Sequence, residues 1–138
     1  MNILVIDAQG GGIGRQLVGE IRKDYPDAYI LAVGTNSAAT MAMLKAGATE
    51  GATGENPVVV GCRTADIIVG PVGIVIADSL LGEITEKMAV AVAKSPAVKI
   101  LLPFNQCSNI IAGVPDLNVT MLIRKALEEI AKAVENLK

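Results

Sequence analysis

At 138 residues the chain has room for one domain with a single substantial core and none for a separate catalytic domain. Half of it (51%) is apolar, yet Tyr25, Tyr29 and Phe104 are its only aromatics and histidine is absent, which removes the commonest general base near neutral pH and the commonest metal ligand. A formal net charge of −2 excludes a basic field for nucleic acid or anionic lipid, and the uncharged apolar run from Ile67 to Ala77 is too short to span a bilayer.

The first strand reads from Ile3 to Asp7 and empties into Ala8-Gln9-Gly10-Gly11-Gly12-Ile13-Gly14. Glycines let a backbone turn tightly and approach a ligand without Cβ atoms in the way. A helix predicted from Ile13 to Asp24 follows at once, with Leu17, Val18 and Ile21 on one stripe and Arg15, Glu20, Arg22 and Lys23 facing out. Its N-terminal amides and positive dipole end point back at the turn, the arrangement that binds phosphate.

Pro26-Asp27 marks a turn, and Tyr29 to Val33 reads as a second strand closed by Gly34. Asn36 or Ser37 caps a second helix that ends near Ala46 at Gly47. Thr49 to Ala52 is a short third strand, and Asn56-Pro57 reads as the N-cap and first residue of a brief helix through Cys62. The fourth strand, Asp66 to Val69, is continuously apolar after its first residue and gives way to Gly70-Pro71-Val72-Gly73. Ile74 to Leu81 stays open: Ile74-Val75-Ile76 has strand propensity, while a helix opening at Gly73 fits the alternation better. Thr85 caps a helix through Lys94; Val98 to Pro103 is a fifth strand, and Ile110 to Val114 would add an edge strand limited by Gly113 and Pro115. The last helix, Thr120 to Leu137, gathers Leu122, Ile123, Ala126, Leu127, Ile130, Val134 and Leu137 on one face, with Glu128 and Lys132 placed to pair.

Alternating strands and helices with fully apolar strands predict an α/β, doubly wound, mainly parallel five-stranded sheet of Rossmann-like order 3-2-1-4-5, as one domain over residues 1–138. Ligands in such sheets bind at the carboxyl ends of the strands. The loops at those ends are Gln9 to Gly14, Gly34 to Ser37, Thr53 to Asn56, Gly70 to Gly73 and Asn105 to Asn109, all rich in small polar residues. In the predicted site Gly10, Gly11, Gly12, Ile13, Gly14 and Arg15 cradle phosphate. Thr35, Asn36 and Ser37 meet the far end of the ligand and Thr53 stands on the rim. Gly70, Val72 and Gly73 line the opposite wall.

The turn resembles the head of the short-chain dehydrogenase/reductase family, whose G-x-x-x-G-I-G is approximated by Ala8-Gln9-Gly10-Gly11-Gly12-Ile13-Gly14. The likeness covers residues 3 to 18 and implies a nicotinamide dinucleotide. Two departures limit it. No Asp or Glu stands at Ala32-Val33-Gly34-Thr35-Asn36-Ser37 to hold an adenosine ribose, which turns the expectation from NAD toward NADP, its 2′-phosphate on Thr35 to Ser37 and Arg15. The Tyr-x-x-x-Lys pair of reductases is also missing.

Across nearly its whole length the chain resembles a family of small uncharacterised bacterial proteins, chiefly clostridial, catalogued only as a domain of unknown function. The motifs that carry the likeness are Asp7 to Gly14, Ala32 to Ser37, Gly51 to Pro57 and Gly70 to Thr85. It implies a bacterial, cytoplasmic protein and supplies no activity.

The expected function is a binding or sensory module for a nucleotide, NADP-like first, or for a small phosphorylated metabolite, with no metal. One alternative is a small oligomeric enzyme using Asp78, Glu83 or Cys107; another is a structural subunit whose glycine turn merely packs. Asp7 and Glu55 are further rim acids, Cys62 is read as a buried structural thiol, and so small a domain with so much apolar surface is expected to form a homodimer or higher homo-oligomer.

Overall fold

A strand buried on both faces must be apolar at every position, and Ile3-Leu4-Val5-Ile6 and Ile67-Ile68-Val69 are each almost wholly inaccessible to solvent. In the computed structural model, which describes residues 1–104 and 108–138, they lie side by side at the centre of the sheet. The elements run β1 (Asn2–Asp7), α1 (Gly12–Asp24), β2 (Tyr29–Gly34), α2 (Ser37–Ala46), β3 (Glu50–Thr53), α3 (Glu55–Thr64), β4 (Ile67–Pro71), a 3₁₀ turn (Val72–Val75), α4 (Glu86–Lys94), β5 (Val98–Leu102) and α5 (Val119–Leu137). The sheet has five strands in the order β3-β2-β1-β4-β5, with every neighbouring pair parallel. This is the α/β doubly wound topology the alternation predicts.

Successive strand residues face opposite sides, so the sheet divides the core in two. Ile3, Val5, Ile30, Ile67 and Val69 meet Leu17 and Ile21 of α1, Met43 of α2, and Leu122 and Ile130 of α5. On the other face Leu4, Ile6, Val33 and Ile68 meet Val58 and Cys62 of α3, Met88 and Val92 of α4, and Ile74 and Ile84 of the connection between β4 and α4. Among the described residues no helix is long and apolar enough to cross a membrane.

Several sequence expectations are corrected. Ile110 to Val114 forms no strand: Ile110 is 94% exposed, Gly113 sits at φ 80°, and nothing there has a buried face to present to β5. Ile74 to Leu81 is neither strand nor α-helix. It is the end of the 3₁₀ turn followed by tight turns, with Asp78, Leu80, Leu81 and Gly82 all at positive φ. Pro57 is the third residue of α3, not the first, because Gly54 rather than Asn56 takes the N-cap; Pro is tolerated there since first-turn amides have no helical acceptor. β4 continues through Gly70 and Pro71, and β5 stops at Leu102. On α5 the ion pairs are Lys125–Glu128 and Lys132–Glu129, one turn apart, in place of Glu128–Lys132. The caps of α2 and α4 are placed as read, with Asn36 accepting from the Ala39 amide, Thr85 from that of Met88, and Gly47 closing α2 at φ 122°.

Candidate ligand-binding site

β1 and β4 are sheet neighbours, and the chain leaves the end of β1 for the α1 face and the end of β4 for the opposite one. A crevice must open where the paths part. It holds a hollow of about 250 Å³ walled by the glycine turn and Gln16 on one side and by Pro71, Leu80, Phe104 and Val119 on the other.

The glycines of the turn do two different jobs. A Cβ on Gly11, which sits at φ 75°, would stand 2.8 Å from the Ala39 Cα; one on Gly14 would stand 2.5 Å from the Met43 sulfur and 2.8 Å from the Asp7 Cβ. Both are demanded by the close seating of α1 on α2. Gly10 and Gly12 would meet nothing within 4 Å, so their bareness serves the open side of the turn.

The backbone donors are divided in the same way. Asp7 lies at the end of β1 with its carboxylate folded under the turn, accepting from the Ala8 amide at 2.8 Å and from Gly14 at 2.6 Å. The Gly11 N–H donates to the Ala8 carbonyl at 3.0 Å, and Gln9 N–H donates to Glu83 Oε2 at 2.9 Å. Among the described residues the N–H groups of Gly10, Gly12 and Ile13 meet no protein acceptor. Burial pushes the Asp7 carboxyl above its usual range; the two amides that donate to it oppose the rise, and the nearby charge of Glu83 adds to it.

Glu83 reaches the site from the connection after β4, a placement no local sequence signal announces. Its Oε1 accepts from the Thr35 hydroxyl at 2.9 Å and from Asn36 Nδ2 at 2.7 Å. Together with Gln9 these contacts latch that connection onto the turn and onto the end of β2. A carboxylate therefore does stand beyond β2, where Ala32 to Ser37 offers none.

Other predicted site residues are placed differently. Gly70 is inside β4, where a Cβ would be 2.4 Å from the Ile6 carbonyl oxygen, so it serves sheet packing and does not line the hollow. Gly73 is likewise internal: its carbonyl accepts from the Ser79 hydroxyl at 2.5 Å. Val72 is outside the lining, and Pro71 with Leu80 makes the wall expected from this trio. Thr53 Oγ1 lies 2.7 Å from Thr40 Oγ1 in a network joining β2, α2 and β3. Ser37 is exposed on the first turn of α2. Arg15 lines a groove between α1, α2 and α5 and is not among the residues around the hollow. Asp78 is an exposed turn residue at φ 64° whose N–H donates to the Ile84 carbonyl. Glu55 accepts from the Thr85 hydroxyl at 2.6 Å, tying the starts of α3 and α4 together. Cys107 lies outside the described residues. Cys62 is buried, with its thiol pushed up to about 11 by burial, which makes it a poor nucleophile.

Gln16, Leu80, Phe104 and Val119 are lining residues that the sequence reading missed. They come from four separate segments, and only the C-terminal-end rule hinted at Phe104. The finished arrangement offers three amide donors for an anion, a hydrocarbon wall for a flat body, and two carboxylates held as acceptors.

A family model described as a domain of unknown function (DUF3842) matches residues 2–135. A search of curated proteins found no match. Among solved structures, the chain is similar to a dodecameric FMN-dependent Ubix-like decarboxylase from Escherichia coli O157:H7, at 13% identity and a TM-score of 0.49, over 95% of this chain and 94% of that one.

Proposed function

We propose that this chain, which belongs to the DUF3842 family, is a binding module for a nucleotide or small phosphorylated metabolite, seated over the turn between β1 and α1. The observation that carries this reading is the set of unengaged amides of Gly10, Gly12 and Ile13 bordering a hollow at the β1–β4 switch point. Backbone donors at a helix start receive negative charge, and the apolar wall of Pro71, Leu80 and Phe104 suits a base or another flat group.

Size and charge narrow the ligand. About 250 Å³ lies just below the range of roughly 300–1,000 Å³ usual for ligand pockets, which favours a mononucleotide-sized occupant over a whole dinucleotide. The NADP expectation relied on Thr35 to Ser37 for a 2′-phosphate. Glu83 already engages Thr35 and Asn36 and carries negative charge, so an unmodified ribose suits this edge better than a phosphorylated one. A second reading, a small enzyme, draws support from Asp7, whose raised proton affinity at the floor of the hollow is the property of a general acid. Ile110 and Leu81, 94% and 93% exposed, support the homo-oligomer expectation, which light scattering on the purified protein tests.

Thermal-shift and calorimetric titration with inorganic phosphate, AMP, ADP, FMN, NAD and NADP tests the proposal. A mononucleotide is expected to raise the melting temperature and to bind more tightly than NADP. A panel without any shift, or equal shifts in wild type and Gly12→Asp, refutes it. Turnover of a bound nucleotide that disappears in Asp7→Asn moves the reading to the enzyme.

A further inference from the structure

A cavity of about 660 Å³ lies along the outward side of α1, between α2 and α5. Its floor is open because α1 carries Gly19 there, where an added Cβ would meet nothing within 4 Å. Three cations from three different helices line it: Arg15 of α1, Lys45 of α2 and Arg124 of α5. Among the described residues none of the three makes an ion pair. Arg124 leans only on the Met121 sulfur, at 3.8 Å. Elsewhere on the helices Lys23, Lys125 and Lys132 are each matched by a glutamate one turn away. The one carboxylate on the cavity wall, Glu20, is already held by Lys23 at 3.0 Å. A chain with a net charge of −2 thus concentrates three uncompensated positive charges around one hollow.

Like charges brought together at the mouth of a cavity repel one another unless something negative joins them, and the low-dielectric walls focus their field. Two guanidinium groups also offer the forked donors that match phosphate oxygens. Ile123 and Leu127 supply an apolar flank. The volume falls inside the range of small-molecule sites.

We propose that this cavity is a second binding site, distinct from the hollow at the glycine turn, and that it takes a compact polyanion of the polyphosphate class, with Arg15, Lys45 and Arg124 each meeting one segment of the anion. The proposal does not depend on what the glycine turn binds. Gln16 borders both cavities, so the two sites adjoin along one turn of α1.

Inorganic tripolyphosphate is the probe, titrated calorimetrically into the whole chain at 50 mM and 500 mM salt. Wild type is expected to bind, at least tenfold more weakly at the higher salt. Arg15→Gln, Lys45→Gln and Arg124→Gln should each weaken binding about fivefold or more, and the triple variant should abolish it, with melting temperatures kept because all three side chains lie at the surface. Lys132→Gln, which removes a cation on another face, should bind as wild type. The proposal is overturned if wild type does not bind at 50 mM salt, if the triple variant binds undiminished, or if Lys132→Gln loses as much as the cavity variants. Binding that survives the triple variant but disappears in Gly12→Asp assigns the anion to the glycine turn and also overturns it. So does a triple variant that alters the oligomeric state while binding is kept, since the groove is then an interface between copies.

Discussion

Gly12→Asp separates a ligand-binding turn from a merely structural one. A side chain at this position meets nothing within 4 Å, and α1 has no acidic residue in its first turn. An aspartate there interacts favourably with the positive end of the helix, by about 0.3–1 kcal/mol. The free protein should therefore keep its melting temperature or gain up to about 3 °C, at roughly 3 °C per kcal/mol for a chain of this size. The effect on an anion at the Gly10, Gly12 and Ile13 amides is opposite. Two unit charges about 6 Å apart at an effective dielectric near 20 repel by about 2.8 kcal/mol, or roughly 100-fold in affinity. A ligand at 100 times its dissociation constant stabilises the wild type by about 2.7 kcal/mol, or about 8 °C; after a 100-fold loss the remaining shift is about 1 °C. Differential scanning fluorimetry with and without AMP measures all four temperatures. A fall of more than about 6 °C in the free variant, or an unchanged ligand shift, refutes the reasoning.

Gly70→Ala should lower stability in urea by about 3 kcal/mol, because its Cβ would press on the Ile6 carbonyl oxygen inside the sheet, whereas Gly10→Ala should stay within about 0.5 kcal/mol; equal effects would contradict the division between packing and open glycines. Glu83→Gln leaves one acceptor oxygen for the donors of Gln9, Thr35 and Asn36 and turns an amide N–H₂ toward them, so a loss of about 1–3 kcal/mol is expected, and an unchanged melting temperature would show that the latch holds nothing. Asp7 is less acidic in the fold than its ordinary value of 3.8, so the folded state binds the extra proton and this group contributes stability that grows as pH falls from above its raised pKa toward 3.8. Wild-type melting temperature measured against Asp7→Asn should rise relative to the variant across that window; a flat or opposite difference refutes the assignment.

The central strands were legible because parallel strands covered on both sides have to be apolar throughout, and Ile3-Leu4-Val5-Ile6 and Ile67-Ile68-Val69 have no competing reading of comparable strength. The caps were legible for a similar reason: Asn36 and Thr85 act on amides three residues away, so sequence neighbours are spatial neighbours. Glycine content was visible too, but its meaning was not. Gly10 and Gly14 look alike in sequence, and only the approach of Met43 and Asp7 to one of them separates an open site from a packing contact.

Local periodicity determined the strand and helix order and, through the alternation of elements, the sheet order, since each depends on interactions within or between adjacent segments. It could not determine the site chemistry. The carboxylate facing Thr35 comes from Glu83, the three bare cations come from α1, α2 and α5, and the wall of the hollow comes from Pro71, Leu80, Phe104 and Val119. These groups are distant along the chain and carry no shared period, and electrostatics acts through space; the packed fold alone decides which charges meet.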